Sequence, residues 1–232
     1  MKKSILHIVF GLTIAGFILT SCEDMFGGFL DKQPSNELTG KQTFSNWSTT
    51  TEFHFDTYNF LRHGACRIGN SWMDAATDLA ETSYSNAGTR VSFNIGNYYS
   101  GAAASELSDT WEHYYRAIRK CNMLLDTIDV VPKSIDLSDE KYETDKLNYK
   151  SESRFLRAYF YWELFLRYGP IPIVTKVLNP NGDLFTGYET RPSVKEYIVD
   201  FILPELKECE KGLMDYETGK KSQNAGRISQ PM

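Results

Sequence analysis

Apolar residues recur at helical spacing over much of this chain, but the first stretch breaks that pattern. After Lys2 and Lys3, the residues from Ile5 to Leu19 are apolar apart from His7 and Thr13. This run is too short, and too quickly followed by polar residues, to span a bilayer comfortably, so it reads as a secretory signal. From Glu23 to Thr43, Gly27, Gly28, Pro34, Asn36 and Gly40 block any long periodic element, which predicts an irregular tether. Thr49 with Glu52 forms an S/T-x-x-E capping box and predicts a first helix starting at Thr49. Phe53, Phe60 and Leu61 lie on its inner side, and His63-Gly64 ends it. Trp72 to Leu79 reads as a short helix or turn. Glu81 to Gly101, rich in Ser, Asn, Gly, Tyr and Thr, reads as a long exposed loop.

The second half is strongly periodic. Asp109 is the predicted cap of a helix whose seam is Trp111, Tyr114, Tyr115, Ile118, Cys121, Leu125 and Ile128, with Pro132 closing it. Asn122 falls near that seam, and a buried amide must be hydrogen-bonded, so it is expected to tie the helix to a neighbouring backbone. A polar insertion from Ser134 to Lys146 precedes a helix over about Leu147 to Tyr168. Its apolar residues, from Phe155 to Leu166, leave little solvent face, so it belongs at the centre of the packing, with Arg154, Arg157 and Arg167 reaching outward or pairing. Gly169-Pro170 stops it. Ile171 to Val174 is held extended by its prolines and is the expected place for a short strand. Pro192-Ser193 opens a last helix facing inward through Val194, Ile198, Phe201, Ile202, Leu206, Cys209 and Leu213. Pro204 interrupts it by removing the bond to the Asp200 carbonyl. From Asp215 the chain turns polar and no further element is expected. The expected organisation is a signal over 1–21, a tether over 22–43 and one mainly α, helical domain with long loops over 44–232.

Charge and composition narrow the function classes. A net charge of -5 offers no basic field for phosphate backbones, which argues against nucleic acid as a partner. Aromatic residues make up 14% of the chain, enough to furnish both a core and flat surfaces for ligands. Of the four cysteines, Cys22 is set aside by the reading below. Cys66, Cys121 and Cys209 then form an odd set that draws no complete disulfide framework, and buried free thiols are the expectation.

The end of the opening apolar run reads Leu19-Thr20-Ser21-Cys22, an aliphatic residue and two small ones before a cysteine. This resembles the bacterial lipobox, in which the thiol accepts a diacylglycerol and becomes the mature N-terminus, so Cys22 is the expected lipidation site. Glu23 and Asp24 follow at once. They resemble the export tag of surface-displayed lipoproteins in Bacteroidetes, and a plain solvated tether is the alternative.

Catalytic patterns find little support. His54, His63 and His113 have no metal-ligand spacing, and Asn179, Asn181 and Asp183 lack the glycine and terminal acid of a calcium loop. Asp74 and Asp78 suit a solvated or capping role better than a carboxylate pair. No glycine-rich phosphate loop or Cys-x-x-Cys is present, so neither a metal nor an organic cofactor is expected. Sugar binding needs flat apolar faces beside hydrogen-bonding groups, because a pyranose presents C–H patches rimmed by hydroxyls. Trp72 with Asp74, Tyr84 with Asn86 and Arg90, and Asn97 with Tyr98 and Tyr99 meet that description on predicted loops. For each of these residues, a packing anchor is the alternative.

Two runs carry a family resemblance. RFLRAYFYWELFLRYGPIPIV over Arg154 to Val174, preceded by WEHYYRAIRKCNMLLDTI over Trp111 to Ile128, is similar to the helical heart of the SusD/RagB family. The lipobox, the segment Phe29-Leu30-Asp31 with Pro34, and the helix after Arg191-Pro192-Ser193 occur in that family's order. The resemblance implies a lipid-anchored outer-membrane protein on tetratricopeptide-like helix pairs, an incomplete, irregular solenoid here. It implies a binder of oligosaccharides or peptides, not an enzyme, that partners a SusC-like TonB-dependent transporter at the cell surface. Trp111-x-x-Tyr114-Tyr115-x-x-Ile118 and Ala158-x-x-x-Trp162 resemble the two helices of such a repeat, although the insertion after Ile128 exceeds the standard period of about 34 residues. In the family the segment resembling Gly226 to Ser229 leads into further helix pairs, so the sequence reads as an N-terminal portion that alone is expected to bind its nutrient weakly or not at all. The alternative function is a tetratricopeptide-like envelope adaptor that holds another protein.

Overall fold

A computed structural model describes residues 40–62, 72–81, 92–97, 99 and 105–231. The signal, Cys22 and most of the tether lie outside these residues. Regular structure among them is helical: α1 (Gly40–Thr43), α2 (Trp47–Asp56), α3 (Ser105–Thr127), α4 (Asp139–Tyr168), α5 (Val194–Tyr197), α6 (Leu203–Glu210) and α7 (Tyr216–Gly219), with short 3-10 turns between several of them. No helix among the described residues is long and apolar enough to cross a membrane.

The central element is α4, as its nearly all-round apolar sequence predicts. Its start differs from expectation. Ser138 caps it by accepting from the Lys141 backbone N–H, and Asp139 and Glu140 place negative charge at the helix's positive end. The two turns before Leu147 are therefore helix rather than insertion, held to the core by Tyr142, whose hydroxyl donates to the Val131 carbonyl (2.6 Å). Gly169 ends α4 at φ 69°, a left-handed turn that glycine adopts without strain.

Helices α3 and α4 run antiparallel. Tyr114 stacks on Phe160, Asn122 meets Arg157, and Leu124 and Ile128 share a cluster with Tyr149. Helix α6 and the residues before it cross the other side of α4, again antiparallel: Tyr197 packs on Tyr161, and Glu205 pairs with Arg154 and Arg157. The main core is Tyr114, Ile118, Cys121, Leu156, Phe160 and Tyr161 with their neighbours, and a second cluster gathers around Trp47 and Ile128. The α3 seam differs from the sequence reading at two places. Leu124 rather than Leu125 is fully buried, and Trp111 is partly exposed while packing edge-on against Tyr168. Helix α3 also begins at Ser105, so Asp109 sits in its second turn rather than at its cap.

Other boundaries also move. Helix α2 begins at Trp47, not Thr49. Asn46 caps it by accepting from the Thr49 N–H (3.0 Å), while the Thr49 hydroxyl donates backward to the Thr43 carbonyl, so no Thr49–Glu52 capping box forms. Its inner face is Trp47, Thr50 and His54, continued by Thr57 in the 3-10 turn that follows, and Leu61 is exposed. Gly40–Thr43 forms a helical turn where irregular chain was expected. Ile171 to Val174 joins no strand. Its carbonyls are taken by side chains instead: Tyr115 donates to Pro172 (2.9 Å), and Asn122 Nδ2 (2.9 Å) and Tyr161 (3.0 Å) donate to Val174.

Pro204 disrupts the last helix as its missing N–H requires. The chain makes a π turn over Ile198–Ile202, with the Leu203 N–H donating to the Ile198 carbonyl before α6 resumes. Tyr197 is in the core, and Val194, expected on the inner face, is outside it. Beyond Asp215 the chain is not featureless. Helix α7, a 3-10 turn at Ser222–Asn224 and an isolated bridge between Met214 and Ser229 fold it back on the domain.

Candidate functional site

Two loop arms precede α3. In the first, Trp72 leads into a 3-10 turn over Met73–Ala76, closed by the Thr77 N–H (3.1 Å) and hydroxyl (2.8 Å) donating to the Asp74 carbonyl. In the second, Gly96 at φ 69° turns the chain so that the Asn97 N–H donates to the Ser92 carbonyl (2.7 Å). The Asn94 side-chain amide donates to the Ala75 carbonyl (3.0 Å) and fastens the arms to each other, with Ala75 buried beneath. This pinning places the sequence-predicted candidates. Trp72 is 60% exposed and Tyr99 59% exposed, and Asp74 and Asn97 are also at the surface. A packing anchor would be covered, and these two rings are not. Tyr84, Arg90 and Tyr98 lie outside the described residues. Asn94 was not singled out from the sequence. Its position two residues before Gly96, in a stretch already read as loop, was the signal available.

The other candidates resolve into structure. Asn122 lies at the heart of a buried junction. Its Nδ2 donates to the Val174 carbonyl, and its Oδ1 accepts from Arg157 (2.7 Å), whose other nitrogen reaches Glu205 (2.6 Å). Arg154, Arg157 and Arg167 are all paired, as their positions on an otherwise apolar helix demand. Asn179 and Asp183 close turns on their own backbone: Asn179 accepts from Asn181, and Asp183 accepts from the Phe185 and Thr186 N–H groups. Cys121 and Cys209 are free, buried thiols, and burial pushes them up to about 12 and about 11. Both therefore remain protonated at neutral pH and are poor nucleophiles. No group of His, Cys, Asp and Glu among the described residues is arranged to hold a metal ion.

The strongest charge constellation is built on a fully buried carboxylate. Glu152, fully buried in α4, receives Tyr58 (2.6 Å) and His54 Nε2 (2.8 Å) on one oxygen and Arg227 Nε (3.1 Å) on the other. Burial opposes its ionisation, but hydrogen bonds and charge from His54 and Arg227 outweigh that and hold the carboxyl below its usual range. Desolvation, reinforced by the Glu152 charge, raises the Tyr58 hydroxyl far above its ordinary value. His54 is stacked on Tyr149 at 4.5 Å with no exposed face. With Glu152 and His54 fully buried and each satisfied by neighbouring side chains, the arrangement fastens α2, α4 and the C-terminal segment together.

A separate cleft of about 300 Å³ opens where the chain leaves α4, between Pro172 and Ile173 on one side and Tyr188, Arg191, Pro192 and Glu196 on the other. The Arg191 guanidinium donates to the Tyr168 carbonyl (2.8 Å) and so fixes the cleft's far wall to the end of α4.

Comparisons with known proteins agree on a family. The model of the family SusD-like_3, described as starch-binding and associating with the outer membrane, matches residues 28–215. A SusD-like protein of Formosa agariphila is 26% identical over 172 residues, 70% of this chain and 30% of the relative, so the chain spans under a third of that protein's length. Among solved structures, a SusD-like protein from Bacteroides fragilis superposes with a TM-score of 0.63 at 25% identity, over 85% of this chain and 35% of that one. A laminarin-binding SusD-like protein gives 0.58 at 20% identity, over 80% and 37%.

Proposed function

Because the chain belongs to the SusD-like family, we propose that it is a lipid-anchored, surface-displayed protein of the outer membrane that binds oligosaccharide and passes it to a SusC-like TonB-dependent transporter. Cys22 carries the lipid in this reading. The protein captures and does not cut. The observation that carries the binding role is the pair of exposed rings, Trp72 and Tyr99, on loop arms fastened by Asn94 and flanked by Asp74 and Asn97. Exposed indole and phenol faces are costly to leave in water and well matched to the C–H face of a pyranose, while the neighbouring amide and carboxylate satisfy its hydroxyls. Tyr84, Arg90 and Tyr98, on the same loops in sequence, complete the proposed contact set. The family's starch-binding description and the laminarin-binding neighbour support a neutral glycan as the cargo.

Affinity electrophoresis through gels containing starch, laminarin, other neutral glycans, acidic polysaccharides or peptides tests the reading. Retardation by a neutral glycan, with no shortened sugars released, is the expected result. Retardation by peptides alone, or release of shortened products, overturns it. The anchor is tested separately: Cys22→Ala is expected to leave the membrane fraction and lose fatty-acid labelling, and a variant that retains both rules out lipidation at Cys22.

A further inference from the structure

The α3–α4 hairpin has an open end, opposite its Ile128–Ser138 connection. The chain enters α3 there at Ser105, six residues after Tyr99, and leaves α4 there at Tyr168 into the segment that lines the cleft. From there the chain runs back along α3, with the Pro172 carbonyl against Tyr115 and the Val174 carbonyl against Asn122. We propose that this cleft is a second saccharide subsite, separate from the exposed loop rings, one that accepts a single neutral pyranose unit. The inference rests on the oligosaccharide-binding reading given above.

Three features point to that ligand chemistry. The volume of about 300 Å³ is at the small end of ligand sites, enough for one sugar ring with ordered water but not for a folded peptide segment. Tyr188, half-buried, and the rings of Pro172 and Pro192 give the cleft flat apolar faces, and Thr190, Arg191 and Glu196 give it a polar rim. The charges on that rim also discriminate. The Ser193 backbone N–H (2.7 Å) and hydroxyl stabilise the Glu196 carboxylate and hold its carboxyl below the usual range, and Arg191 contributes a guanidinium to the same rim. A phosphate or uronate meets the Glu196 charge and an amine meets the Arg191 charge. A hydroxylated neutral ring can donate to the first and accept from the second.

The cleft is also preformed. Arg191 is fastened to the Tyr168 carbonyl, Tyr115 holds the Pro172 carbonyl, and Ser193 and Glu196 make a reciprocal capping box beside it. Gly187, at φ 89°, shapes the rim with open space where a side chain would stand. A site whose walls are fixed before binding loses little ordering entropy to its ligand.

The test is a titration of the full chain, labelled with nitrogen-15, with maltose, cellobiose and laminaribiose, and with galacturonic acid and a proline-rich peptide as contrasts. Amide shifts at Gly187, Tyr188 and Thr190 with a neutral disaccharide are expected. They should persist in Trp72→Ala and weaken about tenfold in apparent affinity in Tyr188→Ala, the loss set by one stacked ring with its buried area. Shifts confined to the Trp72 and Tyr99 arms refute the subsite and leave the binding reading intact. Shifts at the cleft alone support the subsite and remove the loop rings from the reading. Cleft shifts with the acid or the peptide only, or with no probe, overturn the subsite.

Discussion

Arg227, near the end of the described chain, donates through Nε (3.1 Å) and Nη2 (2.5 Å) to a single carboxylate oxygen of Glu152, 75 residues earlier in the middle of α4. The same arginine lies over the rings of Phe55 and Tyr149, and the Ile228 N–H donates to the Tyr58 hydroxyl beside it (3.3 Å). One side chain thus joins the returning C-terminal segment to α2 and α4. Removing it leaves a buried carboxylate short of a partner, so Arg227→Ala is expected to cost about 3 kcal/mol, the scale for breaking a buried ion pair. Chemical denaturation measures this. A loss under about 0.5 kcal/mol, the range of ordinary surface substitutions, would show that the contact is incidental.

The same pair sets an acid limit. The Glu152 carboxyl is held below its unfolded value, so its stabilisation is complete above the unfolded pKa, near 4.3, and is lost as pH falls through the lower, folded value. Stability measured from pH 7 downward should therefore fall below about pH 4.3. In Glu152→Gln that part of the slope should disappear, although stability at neutral pH is lower. An unchanged acid slope in the variant contradicts the assignment.

Asn122 makes a comparable prediction without charge. It satisfies Arg157 with its oxygen and Val174 with its nitrogen inside the core. Asn122→Ala strands both partners and is expected to cost about 2–3 kcal/mol, the range for unsatisfied buried groups. Asn122→Asp, which keeps the acceptor for Arg157, should lose less if the arginine contact dominates. Equal losses point to the Val174 bond.

Gly212 lies against α4, and a Cβ there would meet Ser151 Oγ and come within 2.8 Å of Leu147 Cδ1. Overpacking of this kind costs about 1–3 kcal/mol, so Gly212→Ala should be destabilising, and adding Leu147→Ala should recover part of the loss relative to Leu147→Ala alone. Strict additivity of the two substitutions would show that the helices part without strain.

What the sequence disclosed followed the kind of force holding each piece. Helix α4 was legible because its apolar residues run nearly all round it, and the last helix because Ser193 caps it and Pro204 must break it. Helix α2 was misplaced because its buried face carries Thr50, His54 and Thr57, whose hydroxyls and ring are satisfied by backbone and by Glu152. Such a face has no hydrophobic period. The first two turns of α4 hid for the same reason, their polar residues masking Tyr142. The C-terminal return was missed because a single distant ion pair, not a repeating pattern, docks it. At the candidate site, ring-rich loops identified Trp72 and Tyr99. The Asn94 link between the arms and the cleft beside Arg191 depend on how loops approach in space, which no spacing along the chain encodes.

Calorimetric titration of neutral oligosaccharides into the full chain and a Trp72→Ala/Tyr99→Ala variant tests the central claim most directly. The account predicts binding to at least one neutral glycan with a dissociation constant of about 1 mM, as expected for a shallow surface with few stacked rings. It predicts at least tenfold weaker binding by the variant, with an unchanged melting transition because both rings are exposed. Equal binding by both proteins, or no binding of any neutral glycan by the full chain, would contradict it.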